Sequence, residues 1–224
     1  ITEGCIASNV SLSASTLPAA SNAWKSLDPS IASVDNKGVV TGVKAGKVQI
    51  VYTDYRKLTD TFTYTVKASP VITAPINGEC IIAPNVQRVY YVNKVADATS
   101  FKWSIPTGWT SNESTNDTIK VIANDQSGII SVVPYNGTCV GTGQSISIGV
   151  IDLNKVTLAA STATLIGDSI MNSTITMKMP TVLDVNGKKI ACDNYNITFL
   201  TNNGGFSNIT KVNDTTFTAV IRAF

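Results

Sequence analysis

Apolar and polar residues alternate with a period of two along most of the chain. Val48, Ile50 and Tyr52 recur at every second position, as do Phe62, Tyr64 and Val66, then Phe101, Trp103 and Ile105, then Ile146, Ile148 and Val150. Ile175, Met177 and Met179, and later Ile197 and Phe199, repeat the pattern. Successive side chains of a strand point to opposite faces, so each set predicts one buried face of a sheet. No stretch of a dozen residues keeps helical spacing of apolar positions without a Gly, Pro or Asn interruption, and the predicted class is all-β.

Turn signals separate the strands. Asp35-Asn36-Lys37-Gly38, Lys44-Ala45-Gly46, Ser127-Gly128 and Asn186-Gly187 lie between apolar runs, and Asn186-Gly187 is the strongest hairpin signal. Two junctions, Lys67-Ala68-Ser69-Pro70 and Ile151-Asp152-Leu153-Asn154, each follow the last alternating strand of one unit and precede another. They divide the chain into units 1–68, 69–151 and 152–224, each in the size range of a small β-sandwich. Junctions this short predict a semi-rigid, elongated rod.

Composition sharpens this picture. With 43% hydrophobic and 14% charged residues the chain can bury ordinary cores. Its 17 basic and 15 acidic residues occur without runs and give a net charge of +2, which argues against nucleic-acid partners. No apolar run reaches the roughly 18 to 20 residues a membrane helix needs. His is absent, and the four Cys show no Cys-x-x-Cys spacing, so His-based triads and zinc sites are not expected. The acids sit in turns such as Asp28-Pro29 and Asp35-Asn36, where capping explains them, and the chain reads as non-enzymatic, without cofactor. A structural calcium has two candidate loops, Asn112 to Asp117 and Asp184 to Gly187, although neither has EF-hand spacing.

Particular segments resemble known families. Trp24-Lys25-Ser26, Pro29-Ser30-Ile31-Ala32-Ser33-Val34, Val39-Val40-Thr41-Gly42 and Ala45-Gly46 follow, in order, the pattern of the group-two bacterial immunoglobulin-like domain. Val10 to Ser15 looks like that family's second strand, which leaves little chain for a complete first one. Phe101-Lys102-Trp103-Ser104-Ile105-Pro106-Thr107-Gly108-Trp109 and Ser127-Gly128-Ile129-Ile130-Ser131-Val132 resemble the PKD-like domains common in secreted proteins of the Bacteroidota. Ser173 to Thr176, Asp184 to Gly187, Tyr195 to Phe199 and Asn203 to Phe206 look like an invasin-type immunoglobulin-like domain, with its closing strand expected beyond the chain.

These resemblances imply tandem immunoglobulin-like sandwiches from an internal stretch of a large extracellular surface adhesin, of the gliding-motility or biofilm type. The implied role is that of stalk and adhesion surface on the outer membrane. The implied partners are neighbouring domains of the same chain and surface polysaccharide or a host or substratum. A glycan-binding module, a virion fibre or decoration protein, and the ancillary region of a secreted enzyme are the alternatives.

Cys80, Trp103 and Cys139 echo the immunoglobulin order Cys, Trp, Cys, and a Cys80–Cys139 bridge closing one end of the middle unit is expected, with two free thiols as the alternative. Cys5 precedes Ser11-Leu12-Ser13 at the distance at which Cys139 precedes Ser145-Ile146-Ser147, so Ile1 to Ser15 also reads as the tail of a preceding PKD-like unit. Cys5 and Cys192 have no expected partner inside the chain. Trp24 and Trp103 are expected as core anchors, whereas Trp109 is the candidate ligand-stacking aromatic. Thr118, Ser169 and Thr215 follow Asp and precede an apolar residue or Thr, the acceptor pattern for O-glycosylation in Bacteroidota.

Overall fold

The computed structural model describes residues 2–151, 157–166, 170–178, 182–190, 200–201, 204–213 and 216–223, with side chains for 2–151 and 182–190. Every regular element among them is a strand, and no helix there is long and apolar enough to cross a membrane.

The first unit has seven strands: β1 (Glu3–Cys5), β2 (Asn9–Ser11), β3 (Trp24–Ser26), β4 (Ala32–Val34), β5 (Val39–Gly42), β6 (Gly46–Thr53) and β7 (Thr59–Lys67). They form two sheets, ordered β1-β7-β6-β3 and β2-β5-β4, with β1 parallel to β7 and the other pairs antiparallel. The second unit comprises β8 (Ile81–Ile82), β9 (Gln87–Tyr91), β10 (Ser100–Ser104), β11 (Thr110–Ser111), β12 (Thr118–Ile122), β13 (Gly128–Asn136), β14 (Cys139–Val140) and β15 (Gln144–Val150). Its sheets run β10-β13-β15-β8 and β11-β12-β9, with β8 parallel to β15. The two units therefore share one topology, strand for strand, apart from the short β14 that decorates β13. In the last unit β16 (Thr157–Ile166), β17 (Ile170–Lys178), β18 (Leu200–Thr201), β19 (Gly204–Asn213) and β20 (Thr216–Ala223) build a sheet ordered β16-β17-β20-β19-β18.

Alternation and burial agree in the first two units. Val48, Ile50 and Tyr52 on β6 and Tyr64 and Val66 on β7 point inward, joined by Ala32 and Val40 from the opposite sheet. The second core is larger: Ile82, Tyr90, Val92, Ile119, Val121, Ile130, Val132 and Ile148 are buried, and Trp109 joins them. The Tyr90 hydroxyl donates to the Glu79 carbonyl at 2.7 Å. Burial, reinforced by the Glu79 carboxylate, pushes its phenol far above the usual range.

The opening residues depart from expectation. Residues 2–11 are no leftover tail: β1 extends one sheet of the first sandwich, β2, which overlaps the strand expected at Val10 to Ser15, extends the other, and the chain crosses between them at Ala7. Alternation could not show this, because a three-residue strand is too short to display a period. The Asn186-Gly187 turn does close a hairpin, with Leu183 bridged to Lys189 and Asp184 N–H donating to the Lys188 carbonyl at 2.8 Å. Ile197 and Phe199 lie outside the described residues.

Candidate functional site at the junction of the first two units

The parallel pairing of β1 with β7 sets the Cys5 backbone opposite Lys67, the last residue of β7, at the end of the first sandwich that meets the second. Cys5 N–H donates to Ser8 Oγ at 2.9 Å and the Ser8 hydroxyl donates back to the Cys5 carbonyl at 2.7 Å, which fixes the turn after β1. Ala7, at φ 61, then donates to the Gly42 carbonyl at 2.9 Å. A side chain at Gly42 would overlap the Cys5 carbonyl oxygen, so glycine lets β1 approach β5 this closely. Lys67 Nζ pairs with Glu3 at 2.7 Å across the same strand pair.

The second sandwich presents the connection between β13 and β15 to this end. Asn136 and Cys139 face each other across the β13–β14 hairpin, and Gly137 N–H donates to Thr99 Oγ1 at 3.0 Å. The linker is held by the same loop. Asn136 Nδ2 donates to the Ala68 carbonyl at 3.1 Å, Thr142 N–H to Pro70 at 2.9 Å, Ile72 N–H to Thr142 at 3.0 Å, and Gln144 Nε2 to Ile72 at 3.0 Å. Across the junction Cys5 and Cys139 form a disulfide with Cα atoms 5.5 Å apart, and Cys139 is 1% exposed. This separation is ordinary for a disulfide.

The bridge expected from sequence, Cys80 to Cys139, is therefore corrected: Cys139 pairs with Cys5, and Cys5 has its partner inside the chain. The physical reason is topological. Cys80 precedes β8, which runs parallel to β15, and its carbonyl accepts Gly149 N–H at 2.8 Å, near the end of the second unit that leads to the third. Cys139 sits at the opposite end, beside the linker. Cys80 is itself disulfide-bonded, and Cys192 lies outside the described residues. At that far end a side chain on Gly149 would overlap Val182, with Ile190 just behind it, so the Asp184 hairpin of the third unit packs directly on β15.

The other nominated groups are dispersed. Trp109 is corrected from stacking platform to core residue: it is 6% exposed, and its indole N–H donates to the Gln126 carbonyl at 3.2 Å. The Pro-x-Gly turn swings the ring inward instead of presenting it. Trp103, expected as an anchor, is only partly buried and donates its indole N–H to the Asn116 carbonyl at 2.9 Å. Trp24 is likewise partly buried and packs on Tyr52 with ring centroids 4.6 Å apart. Phe101, Trp103, Ile105, Ile119, Lys102 and Glu113 line a groove of about 870 Å³ along the open edge of the second sandwich. Thr118 opens β12, half-buried, with its hydroxyl donating to the Asp117 carboxylate at 3.0 Å, while Ser169 and Thr215 lie outside the described residues. In the two calcium-candidate loops, Asn112 Oδ1 accepts Lys120 N–H at 2.9 Å, and Asp184 Oδ1 accepts Asn186 N–H at 2.9 Å and Lys188 N–H at 2.8 Å. Among the described residues no three His, Cys, Asp or Glu side chains come together as a metal site.

Residues 6–66 match the family model of the bacterial Ig-like domain (group 2), and residues 69–150 that of the PKD-like domain. The first two units belong to these two families. No curated protein sequence matches the chain. Solved structures similar to it include domains 4–9 of the surface layer protein SbsC, at 14% identity and a TM-score of 0.27, covering 92% of this chain and 35% of that one. Invasin, a bacterial integrin-binding protein, matches at 13% identity and a TM-score of 0.23, over 88% of this chain and 46% of that one. The SGBP-B protein of the Bacteroides ovatus mixed-linkage glucan utilization locus, solved with a heptasaccharide, matches at 13% identity and a TM-score of 0.24, over 74% and 47%. The chain thus spans about a third of the S-layer structure it matches.

Proposed function

We propose that the chain is a stalk segment of an extracellular bacterial surface protein, built from tandem immunoglobulin-like units that hold an adhesive or protective surface away from the cell. The observation that carries this reading is the Cys5–Cys139 bond across a domain junction, which suits an oxidising, extracytoplasmic compartment and resists bending between units. The families of the first two units support it, since such sandwiches serve as spacers and presentation surfaces without reacting groups. In this reading the units form an elongated rod, its setting is an adhesin of the Bacteroidota, and its partners are flanking domains and surface polysaccharide. Antibody against residues 1–224 should label intact, unpermeabilised cells of the source bacterium. Labelling that appears only after permeabilisation would contradict the proposal.

A second reading, glycan binding, is favoured by the groove lined by Phe101 and Trp103, where aromatic faces lie beside Lys102 and Glu113. A glycan array probed with Trp103→Ala beside the native chain tests it: hits lost in the variant support it, and an array without hits sinks it.

A further inference from the structure

We infer that the Cys5–Cys139 bond makes the first two sandwiches a tension-shielded block, so that a pull on the two ends of the chain bypasses most of both. The inference takes its biological sense from the stalk reading, but its covalent basis is independent of that reading. Force entering at residue 1 reaches Cys5 almost at once, crosses the disulfide to Cys139 and continues through β15 toward residue 224. Residues 6–138 form a closed loop in parallel with the bond and cannot be drawn out while it holds.

That loop contains β2 to β13. It includes all six fully buried members of the first core, Ala32, Val40, Val48, Ile50, Tyr64 and Val66. In the second core it holds every buried residue except Ile148 and Val150. Of the strands in these two units, only β1, β14 and β15 lie on the loaded path. Several contacts brace the point where force crosses. The Ser8 turn and the Glu3–Lys67 pair hold β1, and the linker bonds from Asn136, Thr142 and Gln144 hold the receiving loop. The mechanical consequence is a division of labour: residues 6–138 cannot be drawn out under load, and extension is left to the few residues before Cys5 and to the chain that follows Cys139.

The test is single-molecule force spectroscopy on the full 224-residue chain, with handles fused at both ends, before and after reduction. Dithiothreitol supplies the two electrons and two protons that return the cysteines to thiols and itself closes to a cyclic disulfide. The bond spans a sequence separation of 134. At roughly 3.3–3.6 Å per extended residue, reduction should lengthen the fully stretched chain by about 460 Å. Because Cys80 is itself disulfide-bonded, the control is made on a Cys80→Ser background: that variant should keep this increment, and adding Cys5→Ser and Cys139→Ser to it should abolish the increment. Equal stretched lengths with and without reductant would overturn the shielding. If the increment is present but antibody fails to label intact cells, the stalk reading falls and the shielding stands.

Discussion

The loop joining the last two strands of each sandwich occupies the same place in a shared topology, yet the two units close it by opposite means. In the first unit, residues 54–58 between β6 and β7 are organised by Asp54, which is 4% exposed. Its Oδ1 accepts the N–H groups of Arg56 at 2.8 Å and Leu58 at 2.9 Å, and its Oδ2 takes the Arg56 guanidinium at 2.8 and 3.0 Å. In the second unit the equivalent loop between β13 and β15 carries Cys139 and is closed by the neighbouring domain. One loop is stabilised by residues within four positions of its centre, the other by a residue 134 positions away. The first can form in an isolated domain, whereas the second is complete only when two domains meet.

The largest effect should come from breaking the covalent closure. In the chain-entropy view a bridge over so long a loop stabilises by about 5 kcal/mol, so Cys5→Ser with Cys139→Ser should lower the denaturant midpoint markedly and separate the unfolding of the two units. A single transition at an unchanged midpoint would show that the bridge contributes nothing. Trp109→Ala asks whether the second core stands apart from its loop. Removing a buried indole costs about 3–5 kcal/mol, and the loss should appear in the second unit with the Cys5–Cys139 bond intact by mass spectrometry.

Gly42→Ala sharpens the comparison from the first unit's side. The new methyl meets the Cys5 carbonyl, and an overpacking cost of about 1–3 kcal/mol should appear in urea melts, larger in the oxidised chain, where β1 is held in place. The smallest effect belongs to the Asp54 loop. Burial works against its ionised form, but the Leu58 N–H, the Arg56 guanidinium and the Arg56 N–H outweigh it and hold the carboxyl below its ordinary value of 3.8. The Ser30 hydroxyl and N–H depress Asp28 in the same direction. A carboxyl depressed on folding contributes stability that is complete above its unfolded value and is lost as pH falls through the folded one. Thermal melts of the first unit should therefore decline below about pH 4, and Asp54→Asn should lower the melting temperature at pH 7 and flatten that acid slope.

Much of the fold was legible because it is local. Alternation in Val48-Gln49-Ile50-Val51-Tyr52 reports its own face, and the Asp35 turn is written in four consecutive residues. What escaped depends on chain pairing. Nothing in Glu3-Gly4-Cys5 announces a strand lying parallel to Thr65-Val66-Lys67. The matching Cys to Ser-x-Ser spacing also misled, because Ser11 ends β2 on one sheet while Ser145 and Ser147 lie within β15 on the other. Trp109 escaped for a related reason: a Pro-x-Gly turn fixes local direction, but only the stacking of two sheets decides that the ring is covered.

The most direct test of the stapled junction is disulfide mapping of the unreduced chain after tryptic digestion. The bond places the peptide of residues 1–25, which holds Cys5, in covalent linkage with that of residues 121–155, which holds Cys139. The predicted result is this linked mass, lost on reduction. Recovery of residues 121–155 joined instead to 68–88, the peptide of Cys80, would contradict it.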